Sequence, residues 1–466
     1  MVSAMSYAFT FDARACSGCK ACQEACKDKN QLQAGLLWRR VVEVSGGEWQ
    51  AAGSAWTNTI FAYHLSLACN HCTHPKCAGV CPTDAYTVRP DGIVLIDASK
   101  CMGCGYCAWA CPYGVPQYDA RQGIMSKCDF CHDAIDAGLP PSCVAACPLR
   151  VLDFGTLETL EAQEQAHRLW QLPGSAHPFP LPNYSRTEPH LVITLHPGMV
   201  NPHEKAVSNQ EEILPPGAFE HAYGKAASHE LPLVAFTLLA QMAAGMAVAS
   251  LVISPIPTQV LLAIGFLLGL GGIMSFLHLG RKRNAWRSVR HLKKSWLSRE
   301  ILLTGLFGIA WVVTAGSQWL GRYNSTPWLM AVLGIGLVYC MGRIYLLRAV
   351  PAWNSWRTPL GFFLSAAVLG ALGMNLAMPA SGWVIAAVVS MLAELILILS
   401  SQEAATQAVS RLRIGLLLLA ILGSLMIIFI PALPGFWQGI TLLLLALGSE
   451  IIGRWRFYAQ RKPFPL

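Results

Sequence analysis

CMGCGYCAWACP, residues 101–112, decides how the first half of this chain folds. Its cysteines, Cys101, Cys104, Cys107 and Cys111, are spaced C-x2-C-x2-C-x3-C and followed by a proline. The same spacing returns at Cys16, Cys19, Cys22 and Cys26. Cys69, Cys72, Cys77 and Cys81, then Pro82, widen the second gap to four residues; Cys128, Cys131, Cys143 and Cys147, then Pro148, widen it to eleven. Three thiolates on one tight loop can cap three irons of a cube. The fourth is expected to start a helix pointing away, so that it ligates a neighbouring cube. Motifs of this kind work in pairs.

The second and third groups are separated by AYTVRPDGIVLID, residues 85–97, two alternating β-runs around a Pro-Asp-Gly turn. Together they read as one two-cluster unit of the bacterial ferredoxin type. The first and fourth groups form a second unit, with the first inserted between them. The expected ligand sets are Cys16, Cys19, Cys22 with Cys147; Cys128, Cys131, Cys143 with Cys26; Cys69, Cys72, Cys77 with Cys111; and Cys101, Cys104, Cys107 with Cys81. Structural zinc prefers two separated C-x2-C pairs or Cys/His pairs, so four 4Fe–4S clusters are expected instead. His71 and His74 read as loop residues rather than ligands, because every group already has four thiols. The N-terminal stretch lacks a basic segment followed by an apolar one, and Arg39-Arg40 lies too far in to be a twin-arginine signal. The expectation is a thiol-rich domain made in the reducing cytoplasm.

The second half has a different composition. Sixteen of the seventeen cysteines precede residue 148, and Cys340 alone lies in the apolar half, where it reads as a small packed hydrophobe. Residues 1–228 carry a net charge of −5 and residues 229–466 of +13. Only 13% of residues are charged and the mean hydropathy is +0.42, values of a membrane protein. Eight apolar segments are expected near 231–253, 258–280, 300–320, 327–348, 358–378, 381–400, 412–432 and 436–453. Most have about 20 residues, enough for a hydrocarbon core of about 30 Å. The domain plan is 1–202 for the clusters, 203–228 for a linker, 229–453 for the eight helices and 454–466 for a basic tail. The fold class is α+β, a double ferredoxin-like domain, followed by an all-α eight-helix transmembrane bundle.

Eight crossings put sixteen Lys and Arg in the even-numbered loops and tail, against Arg322 alone on the other side. By the positive-inside rule the linker and cluster domain face the cytoplasm, at the inner membrane. Eight of those charges lie between Arg281 and Arg299. With Trp286, Val289, Leu292 and Trp296 they suggest an interfacial helix on anionic lipid rather than a nucleic-acid patch. Ionisable residues inside spans are functional candidates. His278, Glu300, Arg343, Glu394 and Glu450 all fall near the cytoplasmic end of their segments. Arg343 and Glu394, at similar depth, are either a structural ion pair or part of a site. Glu300 also fits a carboxylate favoured by a helix N-terminus. Of the three histidines in the apolar half, His229, His278 and His291, only His278 lies clearly inside a span, so no haem is expected.

The motifs CSGCKACQEACKD, CNHC, VCPTDA, CMGCGYCAWACPYGVPQY and CPLRVLDFG resemble the four-cluster electron-transfer subunit of the dimethyl sulfoxide reductase family. SFLHLG at 275–280 and SREI at 298–301 resemble its eight-helix anchor subunit, here joined to the first in one polypeptide. The resemblance implies a separate molybdopterin catalytic subunit. It implies a wire with group one nearest that subunit, then groups four, three and two. It implies a quinol site using His278 and Glu300. The function expected is menaquinol oxidation feeding reduction of dimethyl sulfoxide or a related S- or N-oxide. The alternatives are a polysulfide, thiosulfate or tetrathionate reductase, or a dehydrogenase that reduces quinone.

Overall fold

The computed structural model describes residues 6–161, 181–182, 186–200, 230–322, 325–400, 408–429 and 435–459. The expected linker, 203–228, lies outside them, as do residues 460–466 of the expected tail. Two compact units are present, one built on the strands and short helices before residue 200, the other on long helices after residue 230.

The first unit is organised by β1 (Tyr7–Asp12), whose alternating YAFTFD buries Ala8, Phe9 and Phe11. Strand β2 (Arg40–Gly46) pairs antiparallel with β5 (Phe61–Leu67), and the hairpin β3 (Trp49–Ala52) to β4 (Ala55–Asn58) extends outward with every residue exposed. The expected hairpin at 85–97 forms as β6 (Tyr86–Val88) and β7 (Val94–Ile96), turning at Gly92 with φ +78°. Strands β8 (Gln117–Asp119) and β9 (Ile124–Ser126) form another hairpin. Strand β10 (Leu152–Thr156) pairs antiparallel with β1, and β11 (Leu191–Thr194) pairs with β1 in parallel. Because β1 leads into the first cysteine group and β10 leaves the fourth, their pairing closes these distant groups into one neighbourhood.

The helices here are α1 (Ala21–Lys29), α2 (Lys76–Val80), α3 (Tyr106–Ala110), α4 (His132–Asp136), α5 (Ser142–Ala145), α6 (Leu157–Glu161) and α7 (Pro197–Val200). They correct one expectation: the fourth cysteine does not start a helix. In three groups the third cysteine sits within a short helix, and the fourth lies at or just beyond its end. Cys81 and Cys111 are C-caps in extended conformation, with ψ 117° and 118°. The following prolines explain this, since a residue before proline is driven out of the helical region.

The second unit contains α8 (Leu231–Ala249), α9 (Thr258–Leu277), α10 (Trp296–Trp319), α11 (Thr326–Ile344), α12 (Arg357–Ala377), α13 (Ser381–Leu399), α14 (Ala408–Phe429) and α15 (Gly435–Ala459). Among the described residues, seven helices are long and apolar enough to cross a membrane, α8 to α14. The expected eighth, α15, is a helix of 25 residues that carries Gln438, Glu450, Arg454 and Arg456 along its length. Helix α8 packs on α9, α11, α12 and α15. It meets α12 at paired glycines: a Cβ on Gly245 would lie 2.0 Å from the Ala366 carbonyl oxygen. Small residues at such a crossing let two backbones approach with no side group interposed.

The basic run takes a different form from the expected helix. Lys282–Val289 is 3₁₀, and α10 starts afresh at Trp296, capped by the Ser295 hydroxyl, which accepts from the Ser298 amide. The apolar stripe is thereby divided. Arg287 and Arg290 cover the Trp286 ring, whereas Arg299 and Arg343 cover Trp296.

Candidate functional site

All four cysteine groups share a backbone device. The residue just before the second cysteine is left-handed in each: Gly18 (φ 72°), His71 (φ 43°), Gly103 (φ 69°) and Phe130 (φ 62°). A left-handed residue after an ordinary one turns successive amides inward, forming a concavity for a negatively charged group. The Gly103 amide donates to Cys101 Sγ and the Phe130 amide to Cys128 Sγ, both at 3.4 Å. Glycine takes this conformation without strain, and Gly18 is doubly required, since a Cβ there would fall 2.4 Å from the His64 ring. His71 and Phe130 are held in it by burial, at 0% and 1% exposure, and the His71 Nδ1 accepts the Val94 amide at 2.9 Å.

The thiols converge in four places. Cys69, Cys72, Cys77 and Cys111 line one small cavity, beside Lys127 and Thr187. Cys16, Cys19, Cys22 and Cys147 line another, beside Ser66. Cys107 lies within electrostatic range of Cys104, Cys101 and Cys81. Cys26 lies within range of Cys143 and Cys131, and Cys128 within range of Cys26. All of these cysteines are free thiols. Burial pushes Cys26 up to about 12 and Cys111 up to about 11. Such sulfurs become thiolates only against a bound cation, and a metal centre deprotonates a coordinating thiol outright.

In the helical unit, His278 caps the C-terminus of α9 and is half-buried. Glu300 is 4% exposed on α10. Because α10 begins at Trp296, Glu300 lies in its second turn, beyond the reach of the N-terminal dipole that offered a structural account of it. No cation and no hydrogen-bond donor meets its carboxyl among the described residues. Within electrostatic range are Cys340, Tyr345 and Tyr458, the two tyrosine hydroxyls standing 2.5 Å apart.

Arg343 and Glu394 do not pair, which removes the first of the two alternatives for them. Helix α11 ends at Ile344, so Arg343 sits in its last turn, where the dipole favours a cation. Its guanidinium lies 4.9 Å from the Trp296 ring centre. Glu394, on α13, faces α14 and accepts Arg413 Nη2 at 2.5 Å. The two residues share a depth but point to different neighbours.

Sequence reading missed the partners on this side. Arg413 and Arg454 were counted as loop and tail charges, yet α14 begins at Ala408 and α15 runs to Ala459. Arg454 is 6% exposed and donates to Gln241 Oε1 at 3.0 Å, while Ser365 donates to Glu450 Oε2 at 2.8 Å. Glu394, Arg413, Glu450, Arg454 and Ser365 line a cavity of about 580 Å³. A signal for it was present: Glu394, Arg413, Glu450 and Arg454 come from three consecutive helices and all fall near the same end of the hairpins they make.

Comparison with known proteins separates the same two halves. Residues 60–157 match the family model of the 4Fe–4S dicluster domain, and residues 225–414 match that of the DMSO reductase anchor subunit (DmsC). The B subunit of the anaerobic dimethyl sulfoxide reductase of Escherichia coli (strain K12) is 44% identical over 187 residues, 40% of this chain and 87% of that protein. Its counterpart in Haemophilus influenzae is 44% identical over 188 residues, 40% of this chain and 88% of that one. The thiosulfate reductase electron transfer subunit PhsB of Salmonella typhi is 39% identical over 158 residues, 34% of this chain and 79% of that protein. With iron–sulfur motifs in its first half and apolar spans in its second, this protein belongs to the dimethyl sulfoxide reductase family, carrying the iron–sulfur subunit and the membrane anchor subunit in a single polypeptide.

Proposed function

We propose that this chain oxidises menaquinol in the membrane and passes the electrons through four 4Fe–4S clusters to a separate molybdopterin subunit, which reduces dimethyl sulfoxide or a related oxide. The observation that carries the membrane step is Glu300, a buried carboxyl with no cation or hydrogen-bond donor on it among the described residues, one loop after His278. Buried carboxyls in a membrane are costly unless paired or used. This one stands within electrostatic range of a tyrosine pair, Tyr345 and Tyr458, in a protein whose relatives carry electrons.

The ligand sets are Cys16, Cys19, Cys22 and Cys147; Cys26, Cys128, Cys131 and Cys143; Cys69, Cys72, Cys77 and Cys111; and Cys81, Cys101, Cys104 and Cys107. Four gathered thiols and an amide-lined loop at each place fit a cluster. The clusters, when bound, take electrons singly and relay them. Oxidation of a quinol releases two protons and two electrons. The His278 imidazole takes one proton at a ring nitrogen as general base, and the Glu300 carboxylate takes the other. Arg343, stacked on Trp296, holds the end of the helix that carries Glu300. With α15 counted as an eighth crossing beside the seven apolar helices, the basic even-numbered loops support a cytoplasmic cluster domain. The terminal substrate is set by the catalytic subunit, and the relatives' names include both dimethyl sulfoxide and thiosulfate reductases.

The test is reduction of the clusters by two donors. His278→Ala should abolish reduction by menaquinol and leave reduction by dithionite intact. Normal reduction by menaquinol in that variant would remove His278 from the step.

A further inference from the structure

Arg39 belongs to a pair of arginines that the function above does not use. Its side chain is 2% exposed, in the cluster unit. Nη1 donates to the Ser66 carbonyl and the Ser66 hydroxyl, both at 3.2 Å, and the guanidinium lies 4.5 Å over the Phe9 ring centre. Nε and Nη2 have no acceptor, and no carboxylate pairs with Arg39 among the described residues. Four sulfurs, those of Cys143, Cys128, Cys22 and Cys26, are the foremost groups in electrostatic range, and the buried His71 ring is in range as well. Cys22 belongs to the first ligand set and the other three to the fourth group's set. Ser66 ties the arrangement together, because its hydroxyl also meets Cys22 Sγ at 3.2 Å. The Arg39 amide donates to Cys26.

A buried cation without a counter-ion is costly, and so is a buried donor without an acceptor. Guanidinium cannot escape by losing its proton. Both faults vanish together if the N–H groups of Nε and Nη2 meet the sulfurs of a negatively charged group on either side. We propose that Arg39 is the shared counter-charge of two clusters, those of Cys16, Cys19, Cys22, Cys147 and of Cys26, Cys128, Cys131, Cys143, with its free N–H groups directed at their sulfurs. An added electron makes a cluster more negative, so a fixed cation and donated hydrogen bonds favour the reduced form. Arg39 thus holds both reduction potentials up, acting as a positioning residue for electrons rather than as a ligand. The inference rests on the ligand sets given under the proposed function.

The test is a redox titration of the full chain, followed by electron paramagnetic resonance, with iron and sulfide counted per chain. The two signals are assigned by their loss in Cys19→Ser and Cys131→Ser. Arg39→Gln should move these two signals to lower potential and leave the other two where they are. Arg39→Lys, which keeps the charge but loses the planar fork, should move the same two by less. Four unmoved potentials in both variants overturn the inference, as does an equal shift of all four. If Arg39→Gln does not assemble, Arg39→Lys decides in the same way. A wild-type protein holding fewer than four clusters would instead refute the ligand sets, before any variant is made.

Discussion

His71 and Phe130 meet edge to face, ring centres 5.2 Å apart at 78°. Both are non-glycine residues in left-handed backbone, each just before the second cysteine of its group. One belongs to the second group and the other to the fourth, so two strained loops from the two ferredoxin-like units brace each other. Phe130 also stacks on Phe9, centres 4.1 Å apart. Phe130→Ala should therefore cost about 3–5 kcal/mol. The ligands of the second group should be disturbed as well as those of the fourth. The check is cluster content by iron assay and paramagnetic resonance, where loss confined to the fourth group's cluster would show that the loops are independent.

Gly18 gives a sharper steric case. With φ 72° and the His64 ring 2.4 Å from any Cβ, Gly18→Ala should destabilise the cluster unit by about 1–3 kcal/mol. His64→Ala in the same protein should recover part of that loss, leaving only the backbone strain. Thermal unfolding of the four proteins of this cycle measures it.

Cys19 is exposed while most of its companions are buried. Cys19→Ser should remove one cluster with little damage to the fold, lowering the iron content by about a quarter if each set holds one cube. Retention of the full iron content would exclude Cys19 as a ligand.

Glu300→Gln keeps size and removes the charge. Quinol-driven cluster reduction should fall about 10²-fold, the lower range for loss of a general base, with iron content and dithionite reduction unchanged. A variant with wild-type quinol kinetics would return Glu300 to a purely structural part.

In the membrane half, Arg413→Met should cost about 3 kcal/mol, because Glu394 would stay buried and unpaired. Glu394→Gln added to it should restore much of the loss. The double-mutant cycle, read by unfolding in mixed micelles, gives the coupling.

Much of this was legible in the residues. The cysteine spacing announced four groups, and the Pro-Asp-Gly turn announced the hairpin between the second and third. Helix ends in the membrane half were less legible. A run of apolar residues marks where a helix lies in lipid but not where its hydrogen bonds stop. Thus Arg413 and Arg454 passed for loop charges although both are helical. Depth along a span could be counted for Arg343 and Glu394, yet rotation about the axis could not, and rotation decides the partner. The hairpin from β2 to β5 has its signal in Gly53-Ser54, the two-residue turn between β3 and β4, which was legible but formed no part of the expected fold. Arg39 was visible only as half of an Arg-Arg pair, since nothing in sequence says that an arginine is buried within range of four cysteines.

The pairing of Phe11 with Leu152, between β1 and β10, has a bearing on the order of synthesis. A polypeptide is made from its N-terminus, so Cys16, Cys19 and Cys22 leave the ribosome long before Cys147. With the ligand sets proposed, the two inner cubes need nothing beyond Cys111, whereas the outer two wait for the last cysteine group. The earliest thiols made are then among the last to be satisfied. The nested arrangement asks the cell to protect an incomplete site through the making of some 120 further residues, and cluster delivery to this domain should run from the inside outward.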